Sequence, residues 1–288
     1  MREKRKNKIP LTPILALVPF AVIAILYLIL PLINLMIDGF MAPGTQQFSM
    51  QNYAAVFTKP VYLASIRNSL RISLVSTVIG LLISFFAAMA LTQVSERFNN
   101  SMMSILSMTS NFAGLPLAFA FIIMLGNSGV IMAILQSGGL HWLDGFNLYS
   151  YDGLLIMFIY FQIPLGTMLL VPAFTGIRKS WREAAMLLRA NSFQFWGKVG
   201  VPMLLPGLTG TFGMLFANAF TAYATVFMLM TTNYALLPIK VTQLFIGDAT
   251  VQAELGSALS VVMIIILLLV IGLCNLVNKL FYKGGEIK

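Results

Sequence analysis

Residues 182–206 read R-E-A-A-M-L-L-R-A-N-S-F-Q-F-W-G-K-V-G-V-P-M-L-L-P and separate two long apolar stretches of the chain. Four residues at the start of this segment have the spacing i, i+3, i+4, i+7 that predicts one apolar face of a helix: Trp181, Ala184, Ala185 and Leu188. Basic residues are predicted on the opposite face: Arg178, Arg182 and Arg189. Asn191 and Ser192 predict a turn and a helix cap, because short polar side chains bond to nearby backbone groups. A second amphipathic helix follows, so the segment is predicted to be a helix-turn-helix at a membrane surface with one face free for a partner.

The composition is that of a membrane protein. Hydrophobic residues make up 59% of the 288-residue chain and charged residues only 9%, whereas soluble proteins carry about 25% charged residues. The net charge of +9 could indicate nucleic-acid binding, but the basic residues cluster beside the apolar spans. We therefore predict an all-α, multi-pass membrane protein in contact with lipid and without a nucleic-acid partner.

Six apolar stretches have the length of membrane-spanning helices, each of which needs about 20 residues. They cover residues 13–37, 72–91, 103–125, 153–176, 203–230 and 258–280. They form a predicted membrane domain over residues 13–282, between a basic N-terminal segment (1–12) and a short tail (283–288). The first stretch is too long for the core of a signal peptide and lacks a small-residue cleavage site, so we expect it to remain as an anchor.

The distribution of basic residues predicts the orientation. Four of the eighteen Lys and Arg residues fall in segments on one side of the membrane, and fourteen fall on the other. Basic residues accumulate in short cytoplasmic loops. Both termini, and the segment 178–202 between the fourth and fifth spans, are therefore predicted to be cytoplasmic.

Several kinds of catalytic site have no matching motif. The sequence contains no G-x-x-x-x-G-K-[ST] phosphate-binding loop, so ATP hydrolysis would require another chain. One histidine and one cysteine cannot build a metal cluster or an intramolecular disulfide, and we expect no cofactor. No Asp or Glu lies in the middle of a predicted span, which argues against a proton-coupled carrier.

Uncharged polar side chains inside the spans are candidates for the lining of a translocation path: Asn111, Gln162, Asn218 and Tyr223. Burying an unpaired amide costs about 2–7 kcal/mol, so each must face water or a polar partner. Interhelical hydrogen bonding is the alternative role, and the sequence leaves both open. Gly207, Gly210 and Gly213 predict close helix packing in the fifth span.

The segment 178–202 resembles the EAA loop in the membrane subunits of binding-protein-dependent ABC importers. That family's pattern is Glu-Ala-Ala, three residues, Gly, nine residues, then an aliphatic-x-aliphatic-Pro ending. Glu183-Ala184-Ala185 and the ending at Pro202 fit it, but Arg189 occupies the glycine position. Glycine supplies a positive φ without a Cβ clash. We therefore expect Asn191 to take the left-handed position instead.

Shorter pieces resemble the branch of these permeases that serves polyamines, ferric iron, thiamine and phosphonates; they are residues 160–165, 181–185 and 220–225. The resemblance implies an inner-membrane importer subunit, bacterial or archaeal, for a small solute, with polyamines or aminoethylphosphonate closest. It implies two cytoplasmic ATPase subunits, a second permease (identical or different) and an extracytoplasmic binding protein as partners. It also implies that Glu183, Ala184 and Ala185 contact the ATPase, with Arg182 and Arg189 as charge partners. A secondary carrier or channel acting without an ATPase is the alternative.

Overall fold

The structure, a computed structural model, describes residues 11–45, 47–138, 145–229, 235–246 and 251–283. In these ranges every regular element is helical, apart from one antiparallel bridge between Met41 and Phe48. The helices are α1 Leu11–Ala24, α2 Leu30–Gly39, α3 Gln51–Thr58, α4 Pro60–Leu91, α5 Glu96–Asn111, α6 Leu115–Leu125, α7 Val130–Ser137, α8 Tyr151–Thr175, α9 Lys179–Leu187, α10 Ser192–Phe195, α11 Val201–Phe220, α12 Ala224–Leu229, α13 Leu237–Ile246 and α14 Ala253–Lys283. Two π-helical segments, Ile25–Ile29 and Trp196–Gly200, precede α2 and α11. The predicted N-terminal segment 1–12 and the tail 283–288 lie outside the described residues, except for residues 11, 12 and 283.

Within the described ranges, six helical stretches are long and apolar enough to cross a membrane, which confirms the prediction of an all-α architecture with six spans. They are Leu17–Gly39, Pro60–Leu91, Leu115–Leu135, Tyr151–Thr175, Ser192–Phe220 and Ala253–Phe281.

The third stretch differs most from the sequence expectation of a span over 103–125. The helix breaks after Asn111, and residues 103–111 belong to the amphipathic helix α5. Gly114 at the break has φ 72°, and Pro116 lies in the first turn of α6. Proline is favoured there because its missing N–H would have no intrahelical partner. The apolar helix therefore begins at Leu115.

The chain divides into two compact units, one of residues 1–59 and 241–262 and the other of residues 60–240 and 263–288. In the first, the segment after α2 folds back around Asn52, whose buried Nδ2 donates a 2.7 Å hydrogen bond to the carbonyl oxygen of Met41. The Phe40 ring lies 5.5 Å from that of Phe48 and 4.6 Å from that of Tyr53. This segment is thus an ordered connection between α2 and α3.

The second unit is built on the packing of α4 against α8. Small residues form a buried stripe along α4: Ser65, Ser69, Ser73, Ser76, Thr77, Gly80, Ser84 and Ala88. Ser76 bonds Gln162, and Ser84 meets Gly166 further along both helices, so α4 and α8 run parallel. A Cβ atom at Gly166 would lie 2.5 Å from the Ser84 Oγ, so only glycine permits this approach. Small side chains of this kind let membrane helices pack closely.

Helix α11 runs antiparallel to α8, and α14 antiparallel to α11. Gly207 approaches Ala173 so closely that an added Cβ would lie 2.7 Å from the alanine methyl. Thr209 donates a 2.6 Å hydrogen bond to the Asn278 side chain. The predicted close packing of the glycines in the fifth span therefore occurs at Gly207, whereas nothing lies within 4 Å of an added Cβ at Gly210.

Candidate functional site

Two interruptions of helical structure lie in the second unit, at residues 112–114 and at residues 221–223. The Thr225 hydroxyl donates a 3.3 Å hydrogen bond to the Gly114 carbonyl oxygen. An added Cβ at Gly114 would lie 3.7 Å from the Ala224 methyl. Gly114, in the break between α5 and α6, therefore lies against the first turn of α12, directly after the break between α11 and α12. We call these residues the paired breaks.

The paired breaks lie at mid-length of α8. On one side, Ser110 is 3.7 Å from the Met168 sulfur. On the other, the rings of Phe121 and Tyr160 are 5.4 Å apart. Backbone without helical hydrogen bonds is tolerated at membrane depth only where it is buried in protein or faces a water-filled cavity.

Three of the four residues predicted to line a path lie at or next to the paired breaks. Asn111 is the last residue of α5; its side chain is exposed and donates a 2.7 Å hydrogen bond to the Ser107 carbonyl oxygen. Asn218 is exposed in the last turn of α11. Tyr223 is half-buried within the second break, with its ring 5.3 Å from that of Phe227. The fold thus gathers two exposed amides and one phenol in one region.

Gln162, the fourth candidate, lies elsewhere. It is fully buried between α4 and α8, where its Nε2 donates a 2.7 Å hydrogen bond to the Ser76 hydroxyl. Its Oε1 has no hydrogen-bond partner among the described residues. This arrangement matches the interhelical alternative that the sequence left open.

The segment after α8 forms the predicted helix-turn-helix, but its turn differs from the expectation. Arg189 itself adopts the left-handed conformation, with φ 55°, and no other described non-glycine residue has a positive φ. Asn191, expected in that position, is extended and caps α10 through a reciprocal capping box with Gln194. The expectation for Asn191 is therefore wrong, whereas its predicted capping role is confirmed. The cap requires an extended Asn191, so the reversal of the chain falls on Arg189.

The predicted apolar face of α9 is buried only in part. Trp181 and Ala185 are half-buried, but Ala184 is exposed. The helix ends at Leu187, so Leu188 and Arg189 do not continue its faces as predicted. The remaining charged candidates, Arg182 and Glu183, are exposed on α9.

Four large apolar side chains project from this segment. Their exposed fractions are 57% for Met186, 87% for Leu187, 83% for Leu188 and 87% for Phe193. We call them the apolar tip. Several large apolar side chains exposed within eight residues of one another indicate an interaction site.

An aromatic cluster fixes the segment to the helices beneath it. The Trp196 ring lies 6.3 Å from that of Phe85, 6.1 Å from that of Phe174 and 5.7 Å from that of Phe195. The ring covers Gly200, where an added Cβ would overlap its edge. This anchor was not among the features predicted from the sequence, although the aromatic residues and Gly200 within one amphipathic stretch are a pattern that indicates it.

The family model of the binding-protein-dependent transport system inner membrane component matches residues 80–284. The chain belongs to this family. It is therefore a permease of the ABC importers, a transport component rather than an ATPase. The match includes the paired breaks, α9 and the apolar tip.

Individual relatives are identical to this permease at about a quarter of the aligned positions. The probable sulfate transport system permease protein cysT of Prototheca wickerhamii is 24% identical over 232 residues, which cover 78% of this chain and 86% of the relative. The spermidine/putrescine transport system permease protein PotB of Haemophilus influenzae is 22% identical over 240 residues, 83% of each chain. The putative ferric transport system permease protein FbpB 1 of the same species is 26% identical over 242 residues, and the match covers 81% of this chain but 36% of that protein. The permease thus spans about a third of the ferric relative.

Solved importers have the same fold. A bacterial ABC transporter involved in the import of the acidic polysaccharide alginate matches with a TM-score of 0.75 at 14% identity, over 93% of this chain and 95% of that chain. The methionine transporter MetNI, in an inward-facing conformation, matches with a TM-score of 0.57 at 15% identity, over 78% and 99%.

Proposed function

We propose that the permease forms a path for a small solute at the paired breaks, with Asn111, Asn218 and Tyr223 among its lining residues. The contact between two interrupted helices at mid-length of α8 carries this proposal. Transporters repeatedly build their solute sites from discontinuous helices, whose free backbone groups and nearby polar side chains coordinate the solute. Gln162 is left out of this path because it is sealed between α4 and α8.

We further propose that α9 and the apolar tip face the cytoplasm and bind an ATPase subunit. Fourteen of the eighteen basic residues fall on the same side as this segment in the six-span topology. The apolar tip supplies area to bury, and Glu183 beside it supplies a charged hydrogen-bond acceptor. An exposed ion pair within the chain would contribute at most about 1 kcal/mol, so internal stability is a weak reason for a carboxylate at this position.

The assembly proposed here contains two ATPase subunits, a second permease and a binding protein that delivers the solute. The solved alginate transporter was captured in complex with an alginate pentasaccharide-bound periplasmic protein. The solved complex supports the proposal only because the two proteins share a fold. On that basis we infer that a binding protein also delivers the solute to this permease.

Of the two solute classes closest by resemblance, we propose the phosphonate-like one. Of the described acidic residues, Asp38, Glu96, Asp152 and Glu254 lie near helix ends and Glu183 lies on α9, so none belongs to the paired breaks. A polyamine is a polycation and binds best to carboxylates, whereas amides and hydroxyls donate hydrogen bonds to an anion. Competition for uptake by aminoethylphosphonate but not by spermidine is the expected result.

Reconstitution tests the function. The permease, co-expressed with the products of its neighbouring genes, should co-purify with an ATPase and support ATP-dependent uptake into vesicles only when the binding protein is present. Uptake by the permease alone would instead establish a secondary carrier or channel. Co-purification without binding-protein dependence would remove the delivery step.

A further inference from the structure

A cavity of about 590 Å³ lies where the C-terminal ends of α4 and α8 meet the helix-turn-helix segment. Its volume is within the range of about 300–1,000 Å³ that is typical of ligand sites. Met89, Phe174, Phe195 and Trp196 form an apolar floor. No residue of the paired breaks or of the apolar tip lines the cavity, which shares only Arg182 with α9, the helix proposed to bind the ATPase.

The polar part of the cavity is positively charged. Arg178 and Arg182, four residues apart, both line it, and residues at this spacing lie on the same side of a helix turn. Both are exposed, and neither forms an ion pair with a described residue. No Asp or Glu is among the lining residues, and Gln93 contributes an uncharged amide. Two unpaired guanidinium groups select an anion, and phosphate oxygens suit their geometry.

The position of the cavity distinguishes between anions. It lies at the level where two membrane-spanning helices end, at Leu91 and Thr175, which is the level of lipid headgroups. A free phosphate ion would satisfy the arginines but leave the aromatic floor uncovered. A phospholipid satisfies both parts, because its phosphate meets the guanidinium groups while its acyl chain covers the floor. Basic pockets between membrane helices bind anionic headgroups for this reason.

We infer that this cavity is a binding site for an anionic phospholipid, held by Arg178 and Arg182 through its headgroup phosphate. The bound lipid lies between the ends of α4 and α8 and the segment that carries α9. It therefore supports the position of α9 relative to the membrane helices. The site depends on neither the identity of the solute nor the delivery step.

Native mass spectrometry of the full permease, released from nanodiscs with equal phosphatidylglycerol and phosphatidylethanolamine, tests the inference. Wild type is expected to retain phosphatidylglycerol preferentially. Arg178→Gln and Gln93→Glu are expected to weaken that retention about fivefold each, the effect of one charge near a lipid headgroup. Arg97→Gln, which removes an exposed charge from α5 outside the cavity, is the matched control and should retain lipid as wild type does. Thermal unfolding of each variant verifies that the fold is intact.

Three results would overturn the inference. Equal loss of lipid in Arg97→Gln would show a diffuse charge effect rather than a site. Full displacement of the lipid by millimolar inorganic phosphate would identify a free-anion site. Unchanged lipid retention in Arg178→Gln and Gln93→Glu, together with weaker co-purification of an ATPase, would assign the cavity to the ATPase contact.

Discussion

The side-chain amide of Gln162 in α8 and the hydroxyl of Ser76 in α4 form a 2.7 Å hydrogen bond inside an interface where both side chains are fully buried. The bond joins two parallel helices that are not consecutive in the chain. It gives a polar residue of a membrane span a structural role.

Replacing Gln162 with Leu should lower the stability of the permease by about 1 kcal/mol, the usual range for an interhelical hydrogen bond in a membrane. The Ser76 hydroxyl accepts the bond from Gln162 and itself donates to the Ser73 carbonyl oxygen at 3.3 Å, so the substitution leaves no unpaired donor on Ser76. Denaturation midpoints in detergent measure the change, and Asn218→Leu is the control for removing an exposed amide. Loss of uptake with unchanged stability would contradict this structural role and would indicate that Gln162 lines the translocation path.

Accessibility to water should separate the path candidates into two groups. In a Cys274→Ala background, cysteine at 111 or 218 should react with water-soluble thiol reagents, because both native side chains are exposed at the paired breaks. Cysteine at 162 should remain inert, because that position is sealed between helices. The rate at which each cysteine reacts is measured in membranes, with and without nucleotide. Inert cysteines at 111 and 218 in both conditions would remove the breaks from the path.

Arg189→Gly should stabilise the permease by about 1 kcal/mol. A left-handed conformation costs a residue with a Cβ about 1–2 kcal/mol, and the greater flexibility of glycine in the unfolded chain offsets part of the gain. Arg189→Ala, which removes the charge but keeps the Cβ, is the control and should not be stabilised. Thermal unfolding compares the three proteins, and equal melting temperatures would show that the turn is not strained.

Glu183→Lys should leave expression and stability nearly unchanged but reduce ATPase co-purification and ATP-dependent uptake at least tenfold. The carboxylate is exposed beside the apolar tip, so reversing its charge affects a contact with a partner more than the fold. Glu96→Lys is the matched control, because Glu96 is also exposed, in the first turn of α5. Normal uptake by Glu183→Lys would end the coupling role of this residue.

Tyr53 should make the segment between α2 and α4 sensitive to alkaline pH. Burial raises the pKa of Tyr53 above its ordinary value of 10.0, and its hydroxyl has no hydrogen-bond partner among the described residues. The folded state therefore holds this proton more tightly, so its stability falls as the pH rises above about 10 and stops falling above the folded pKa. Tyr53→Phe should remove this loss. Hydrogen exchange of residues 40–58 between pH 9 and 11 should become faster in wild type than in Tyr53→Phe. Identical pH profiles of the two proteins would contradict the prediction.

The features that the sequence predicted correctly depend on local chemistry. The capping role of Asn191 follows from interactions within one turn, and the six spans follow from hydropathy alone. From the sequence, the left-handed conformation was expected at Asn191, because asparagine tolerates that conformation better than arginine does. The cap on α10, which needs an extended Asn191, overrides this preference.

The packing of α4 was missed because hydropathy scores serine as a polar interruption. In a helix interface, serine is above all a small residue. The recurrence of Ser65, Ser69 and Ser73 at intervals of four residues is a pattern that indicates close helix contact. Which helix would meet that stripe depends on tertiary structure, because α8 follows α4 only after α5, α6 and α7.

The buried hydroxyl stripe of α4 imposes an order on assembly during synthesis. Helix α4 enters the membrane before the surface that will cover its serines has been translated, so those hydroxyls have only lipid or the earlier helices beside them until α8 arrives. A nascent chain ending at residue 150 lacks the α8 surface that contacts Ser76 and Ser84, whereas a chain that includes residue 175 contains it. The partner of the Ser69 hydroxyl, the Leu237 N–H, is translated later still. Insertion of the fourth span thus supplies the first interface that covers part of the hydroxyl stripe.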